Sequence, residues 1–156
     1  MSIFANTVDS IGDEALTSSI IDRSITEIRD NYATSIGIYA FYSCSKLTTA
    51  DFPAATSIGI NAFYDCKALT TANFPEATSI DSSAFSSCSK LTALILRSGT
   101  MATLSNTNAF SSTPIASGTG YIYVPAALVD SYKAASKWST YANQIRAIED
   151  YPEICG

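Results

Sequence analysis

Three stretches of this chain, Ser35-Ile-Gly, Ser57-Ile-Gly and Ser79-Ile-Asp, open the same 22-residue unit. Within the units Ala40-Phe41, Ala62-Phe63 and Ala84-Phe85 recur in step, as do Cys44, Cys66, Cys88 and Leu47, Leu69, Leu91. A fixed period of this length means that each unit is one structural turn, unable to bury its apolar residues alone. Stacked turns share one continuous core, so the chain is expected to fold as a solenoid.

The repeat extends beyond its regular copies. Ser10-Ile-Gly-Asp-Glu-Ala15-Leu16 matches the opening of the later units, and Ala109-Phe110 supplies a fifth copy. Successive alanine landmarks lie 25, 22, 22 and 25 residues apart. Irregular outer turns around regular inner ones fit terminal repeats that serve as caps. The expected organisation is an irregular N-terminal repeat or cap over 1–24, a solenoid over 25–124 and a helical cap over 125–156.

Inside a unit, residues 47–52 place Leu47, Ala50 and Phe52 as apolar positions, with Thr49 and Asp51 alternating with the last two. That is the period of a strand with one wet face. Its counterparts are 25–30, 69–74, 91–96 and 121–124, and Asp30 falls in an inward slot of the first. Pro53 and Pro75 end their strands because they cannot donate to a ladder. Gly37 and Gly59 are expected to allow a tight turn, after which Ala-Phe-x-x-Cys forms a short helical turn that packs Phe and Cys inward.

Five such strands give a parallel sheet roughly 20 Å across, and both open ends need covers. At the C-terminal end, Pro125 suits the first residue of a helix. Leu128, Val129, Tyr132 and Ala135 follow at helical spacing. Trp138, Tyr141, Ile145 and Ile148 continue the apolar content, with Trp138 as an anchor of the cap.

Composition narrows the partners. The 156 residues suit one domain, and 14 acidic against 9 basic residues give a formal charge of −5. Without a basic cluster, neither nucleic-acid phosphates nor an anionic membrane surface is an expected partner. No apolar run approaches the ~18 residues that would insert in a bilayer. Met1-Ser-Ile-Phe-Ala-Asn-Thr lacks the basic end and apolar run of a secretory signal. The expectation is a protein not exported by that route, or a module of a longer chain.

The three repeated cysteines stack about 4.8 Å apart in such a solenoid, but with parallel side-chain vectors, the wrong geometry for a disulfide. Three in-line thiols in a chain with no histidine also make a poor metal site. They are expected to be reduced, buried small hydrophobes. Cys155 is expected to be exposed and able to join two chains.

The absence of histidine also removes Ser-His-Asp and Cys-His catalysis. Glu27, Asp51 and Asp81 are internal carboxylates expected on solvated surfaces, where nothing splits their pKa values into an acid and a base. Gly118-Thr-Gly120 leads into a strand and lacks the lysine of a phosphate loop. No enzyme activity, cofactor or metal is therefore expected.

The informative surface is the wet face of the sheet. Aligned strands put Arg29, Asp51, Asn73, Ile95 and Tyr123 in one row, and Glu27, Thr49, Thr71, Ala93 and Tyr121 in a second. Both rows grade from charged, through small polar, to apolar and aromatic. Ile95, Tyr121 and Tyr123 would form an exposed apolar cluster of the kind that marks contact sites, with tyrosine a favoured anchor. Alternatively, the C-terminal segment folds over them as part of the cap.

The unit Ser-Ile-Gly-x-x-Ala-Phe-x-x-Cys-x-x-Leu-Thr-x-x-x-Phe-Pro resembles the BspA-like, Treponema-type leucine-rich repeats of bacterial surface proteins. The resemblance spans about Ser10 to Pro125, and the segment from Tyr121 to Trp138 is similar to that family's C-terminal cap. It implies an α/β repeat: a right-handed leucine-rich-repeat solenoid with a parallel sheet lining one face. Members are modules of cell-surface proteins and structural proteins of phages or prophages, associated with adhesion and partner binding. The implied function is a non-catalytic recognition or adhesion module that binds a protein or surface glycan through Arg29, Asp51, Asn73, Ile95, Tyr121 and Tyr123. The alternative is an assembly subunit of a phage particle or surface array, self-associating through the strand face or Cys155. The short array and the absent signal sequence favour a phage component or an excised module, so a cell surface or a virion is the expected location.

Overall fold

The computed structural model describes the backbone of residues 2–5 and the whole of residues 25–155. The unit opening at Ser10 and most of the expected N-terminal cap lie outside the described residues. In chain order the strands are β1 (Ser2–Ala5), β2 (Glu27–Asp30), β3 (Ser35–Ile36), β4 (Thr49–Asp51), β5 (Ser57–Ile58) and β6 (Thr71–Asn73). They continue as β7 (Ser79–Ile80), β8 (Ala93–Ile95), β9 (Thr103–Leu104), β10 (Tyr121–Val124) and β11 (Ile145–Ala147).

Among the described residues these strands make two parallel sheets. One has seven strands in the order β1-β2-β4-β6-β8-β10-β11, and the other four, β3-β5-β7-β9. The five strands predicted from the repeat are thus flanked by one more at each end. The expected register holds: Arg29 pairs Asp51, Asp51 pairs Asn73, Asn73 pairs Ile95, and Ile95 pairs Tyr123. Ile28, Ala50, Ala72, Leu94, Ile122 and Ile145 form the inward row and are buried.

Asp30 does occupy an inward slot and is fully buried. Its Oδ1 accepts hydrogen bonds from the Tyr32 and Ala33 amides at 2.9 Å each. The carboxylate stands in for a backbone acceptor and turns the chain out of β2, which is the usual work of Asp at a turn.

Gly37 and Gly59 do open tight turns, their carbonyls accepting from the Ala40 and Ala62 amides at 3.2 Å each. Neither Gly37 nor Gly59 has a positive φ; the left-handed residues are Tyr39, Asn61 and Ser83, and Ser43, Asp65 and Ser87. Most are Asn, Asp or Ser, small polar residues that favour or tolerate turn conformations. Gly59 serves close approach instead, since a Cβ there would lie 2.9 Å from Gly37 C and from Ile36 O. The Ala-Phe-x-x-Cys segment is a succession of turns, with Cys44 N donating to Phe41 O, rather than a continuous helix. The left-handed residues free alternate amides to donate to the next coil: Phe41 N to Ala62 O at 2.7 Å, Phe63 N to Ala84 O at 2.8 Å. That makes a third hydrogen-bonded wall.

Between the walls runs a spine of aromatic rings. Phe41, Phe63, Phe85 and Phe110 stack with centroids 5.1, 5.3 and 5.9 Å apart. Phe52 and Phe74 form a second stack at 5.3 Å and meet the first edge-on. Identical side chains recur at one coil spacing, so Phe63 and Phe85 each have a phenylalanine above and below.

Beside the spine Cys44, Cys66 and Cys88 are buried thiols joined in no disulfide, as the repeat predicts. Each later thiol donates to a phenylalanine carbonyl of the preceding coil, Cys66 to Phe41 at 3.1 Å and Cys88 to Phe63 at 3.0 Å. Burial pushes the Cys66 thiol well above its ordinary pKa. Cys155 is buried as well, contrary to its expected exposure, because the C-terminal segment turns back onto the sheet. Native protein at neutral pH should therefore leave all 4 thiols unmodified by a colorimetric disulfide reagent on the minute timescale, and denatured protein should titrate all 4. A rapidly reacting thiol in native protein would contradict this burial.

The C-terminal cap is built from short pieces: α1 (Pro114–Ser117), a 3-10 turn Ala126–Leu128 running into α2 (Val129–Ala134), a 3-10 stretch Trp138–Gln144, β11, and α3 (Pro152–Cys155). Pro125 sits just before the turn Ala126–Leu128, and Tyr132, Trp138 and Tyr141 are the cap's buried anchors. Trp138 lies 6.1 Å from Phe110, the last ring of the spine. Its Nε1 donates to Ala102 O at 2.8 Å, while Ala102 N donates to the Tyr132 hydroxyl at 2.8 Å. Tyr141 Oη also donates to Thr107 O. Side chains of the cap thus supply, at the last coil, the partners that another coil would have supplied.

Candidate functional site

The outward rows of the seven-stranded sheet divide into an open polar part and a covered apolar part. On the open part, Glu27 and Arg29 are exposed, and Thr49, Asp51, Thr71 and Asn73 are half-buried. Arg29 Nε lies 3.6 Å from Asp51 Oδ2, and Asn73 Nδ2 donates to Asp51 Oδ1 at 2.8 Å. Asp51 therefore sits between a cation and an amide donor, which fixes three side chains of successive coils in one line. Exposed pairing of this kind adds little stability. Its consequence is a pre-arranged polar surface.

At the next rung the surface changes character. Ala93, Ile95 and Tyr123 are buried beneath the returning C-terminal segment, packed with Cys155 and with half-buried Tyr121, Ile148 and Tyr151. Tyr123 and Tyr151 meet edge-on at 5.3 Å. Burial pushes both the Tyr123 phenol and the Cys155 thiol above their ordinary pKa values, the latter opposed by the nearby Arg97 charge. Of the six residues nominated from the sequence, Arg29, Asp51, Asn73 and Tyr121 retain contact with solvent. Ile95 and Tyr123 are covered, so the exposed apolar cluster is replaced by a cap contact. An apolar rung on a parallel sheet gains by burial, and the chain that follows β11 supplies the cover. Asn73 Oδ1 marks the seam: it is buried and accepts no hydrogen bond among the described residues.

Along this seam lies a cleft of about 510 Å³. Thr71, Thr92 and Thr119 line its polar side, Tyr121 and Tyr123 its aromatic side, and Glu153 and Ile154 of α3 overhang it. Arg146, in register with Tyr123 on β11, places its guanidinium carbon 4.6 Å from the centre of the Tyr121 ring. That group is held in turn by hydrogen bonds to Asn143 O at 2.8 Å and Ile145 O at 3.0 Å.

The strand rows were readable from the repeat because they share its period. Arg146, Glu153 and Ile154 lie outside any copy, and no periodicity brings them to the sheet. The one signal that could have placed Arg146 is the alternation of Ile145, Arg146 and Ala147, too short to separate from the helical pattern around it.

Among the described residues, no group of three or more His, Cys, Asp or Glu is arranged to hold a metal ion. No helix among them is long and apolar enough to cross a membrane. In comparisons with known proteins, the family model described as BspA type leucine rich repeat region, in 6 copies, matches residues 9–123. A search of the curated proteins gave no match.

Proposed function

We propose that this chain, a member of the BspA-type leucine-rich repeat family, is a non-catalytic recognition module that binds a protein or surface glycan through the open part of its strand face. The family association is with protein binding or adhesion, and the placement at a bacterial surface or on a phage particle belongs to this proposal. The observation that carries it is the line Arg29–Asp51–Asn73, three polar side chains from successive coils held in register on the open face, Arg29 exposed and the other two half-buried. Such a surface is pre-organised, so a partner spends little ordering it. Tyr121, at the end of the neighbouring row, adds a half-buried aromatic ring, a good contact for a ligand with an apolar face.

The test is binding of the purified chain to a panel of bacterial cells and isolated surface glycans, beside the Arg29→Ala/Asp51→Ala/Asn73→Ala variant. The variant should lose at least about tenfold in affinity while keeping its thermal midpoint within a few degrees, because solvent-facing substitutions leave the core intact. Undiminished binding would place the site elsewhere. If neither protein binds anything and the chain forms a stable oligomer in sedimentation, the assembly alternative takes over.

A further inference from the structure

The cleft beneath α3 has a chemistry distinct from that of the open polar line, and it narrows the class of ligand. We propose that it is a subsite for a neutral saccharide, an inference that rests on the recognition reading above and specifies it. Its volume of about 510 Å³ falls within the roughly 300–1,000 Å³ of small-ligand sites. The lining offers what an uncharged sugar requires: threonine hydroxyls for its hydroxyl rim, the half-buried Tyr121 ring for its C–H face and one carboxylate to accept from paired hydroxyls. Thr92, Thr119, Glu153 and Ile154 are exposed, so the walls are reachable from solvent.

Charge decides against the other classes. No lysine or arginine lines the cleft, Glu153 does, and the chain carries a formal charge of −5. A phosphorylated, sulfated or sialylated ligand would meet the Glu153 carboxylate, with the nearest guanidinium, Arg146, already over Tyr121 and bonded to two carbonyls. A cationic side chain of a protein would favour Glu153, but the attraction that a tyrosine face offers a cation is already taken at Tyr121 by Arg146, held there by two carbonyls. With the second tyrosine, Tyr123, buried in the floor, a neutral ligand is the class that the remaining surface suits.

The experiment is amide chemical-shift mapping of the full chain against cellohexaose, mannohexaose and chitohexaose, with sulfated and sialylated oligosaccharides and a lysine-rich peptide as contrasts. At least one neutral hexaose should shift the amides of Thr92, Ala93, Thr119 and Tyr121. Its affinity should stay flat from about 50 to 500 mM salt, since a neutral ligand has no charge to screen. Thr92→Trp, which fills the cleft from an exposed position, should abolish that binding, and Glu153→Gln should reduce it about tenfold. Both variants must keep the thermal midpoint of the parent chain. No shift with any neutral hexaose overturns the proposal, as does preferential binding of an anionic sugar or the lysine peptide in the cleft. Shifts confined to Arg29, Asp51 and Asn73 would overturn the saccharide cleft and leave the wider recognition reading standing. Binding at the cleft that survives loss of those three residues would do the reverse.

Discussion

Replacing Phe63 with alanine should cost about 3–5 kcal/mol, a large share of the roughly 5–15 kcal/mol that holds a domain of this size together. Phe63 is fully buried and meets four rings: Phe41 and Phe85 stacked above and below, Phe52 and Phe74 edge-on at 6.2 and 5.8 Å. Truncation leaves a cavity the neighbours cannot fill, because each is held by its own coil's hydrogen bonds to the next. Stability in a stacked array is close to a sum over neighbouring interfaces, so one lost ring weakens the interface on both sides. Urea unfolding is the measurement: the midpoint should fall sharply with an unchanged slope. Tyr64 is the control. It stacks on Tyr42 at 5.3 Å but is only half-buried, and Tyr64→Ala should cost no more than about 1 kcal/mol. Equal losses at the two positions would refute the assignment of the Phe stack as the spine.

The same contrast explains what could be foreseen. Phe41, Phe63 and Phe85 share a period, and a period fixes which residues stack whatever the turn geometry between them. The outward rows followed for the same reason, since alternation along each strand and the repeat between strands together define a lattice. Turn chemistry was less visible. Gly37 and Gly59 carry the strongest local signal for a left-handed residue, yet that conformation falls on Tyr39 and Asn61 while Gly59 permits close approach of coils. Identity of residue does not separate those two uses of glycine. The covered state of Ile95 and Tyr123 was not decidable from the strands at all. It depends on where a non-repeating tail of about thirty residues returns, and tertiary burial outranks any local pattern there.

That tail carries the second large effect. Trp138→Ala should cost about 3–5 kcal/mol for the lost ring, and more where Ala102 O is left without a donor in a buried setting. Trp138→Phe keeps cover over Phe110 but not the hydrogen bond, and should cost about 1–3 kcal/mol. Tyr132→Phe strands the Ala102 amide and should fall in the same range. The order distinguishes a cap that supplies backbone partners from one that merely fills space, for which Trp138→Phe and Tyr132→Phe would be close to silent. The cap should also set an alkaline limit. Burial raises the Tyr132 and Tyr141 phenols above their ordinary value. A phenol raised in the fold keeps its proton at a pH where the unfolded chain has lost it. Its contribution is complete below about pH 10 and drains as pH climbs through the folded value. Denaturant midpoints taken upward from pH 9 should decline for the parent chain, and decline less for Tyr132→Phe, which has one such proton fewer. Because the cap is what closes the end of both sheets, loss of Trp138 should also bring concentration-dependent association in sedimentation, as the backbone of the last coil looks for a partner on another molecule. A Trp138→Ala protein that is destabilised yet strictly monomeric would mean that the rest of the cap, anchored by Tyr141, still covers that end without it.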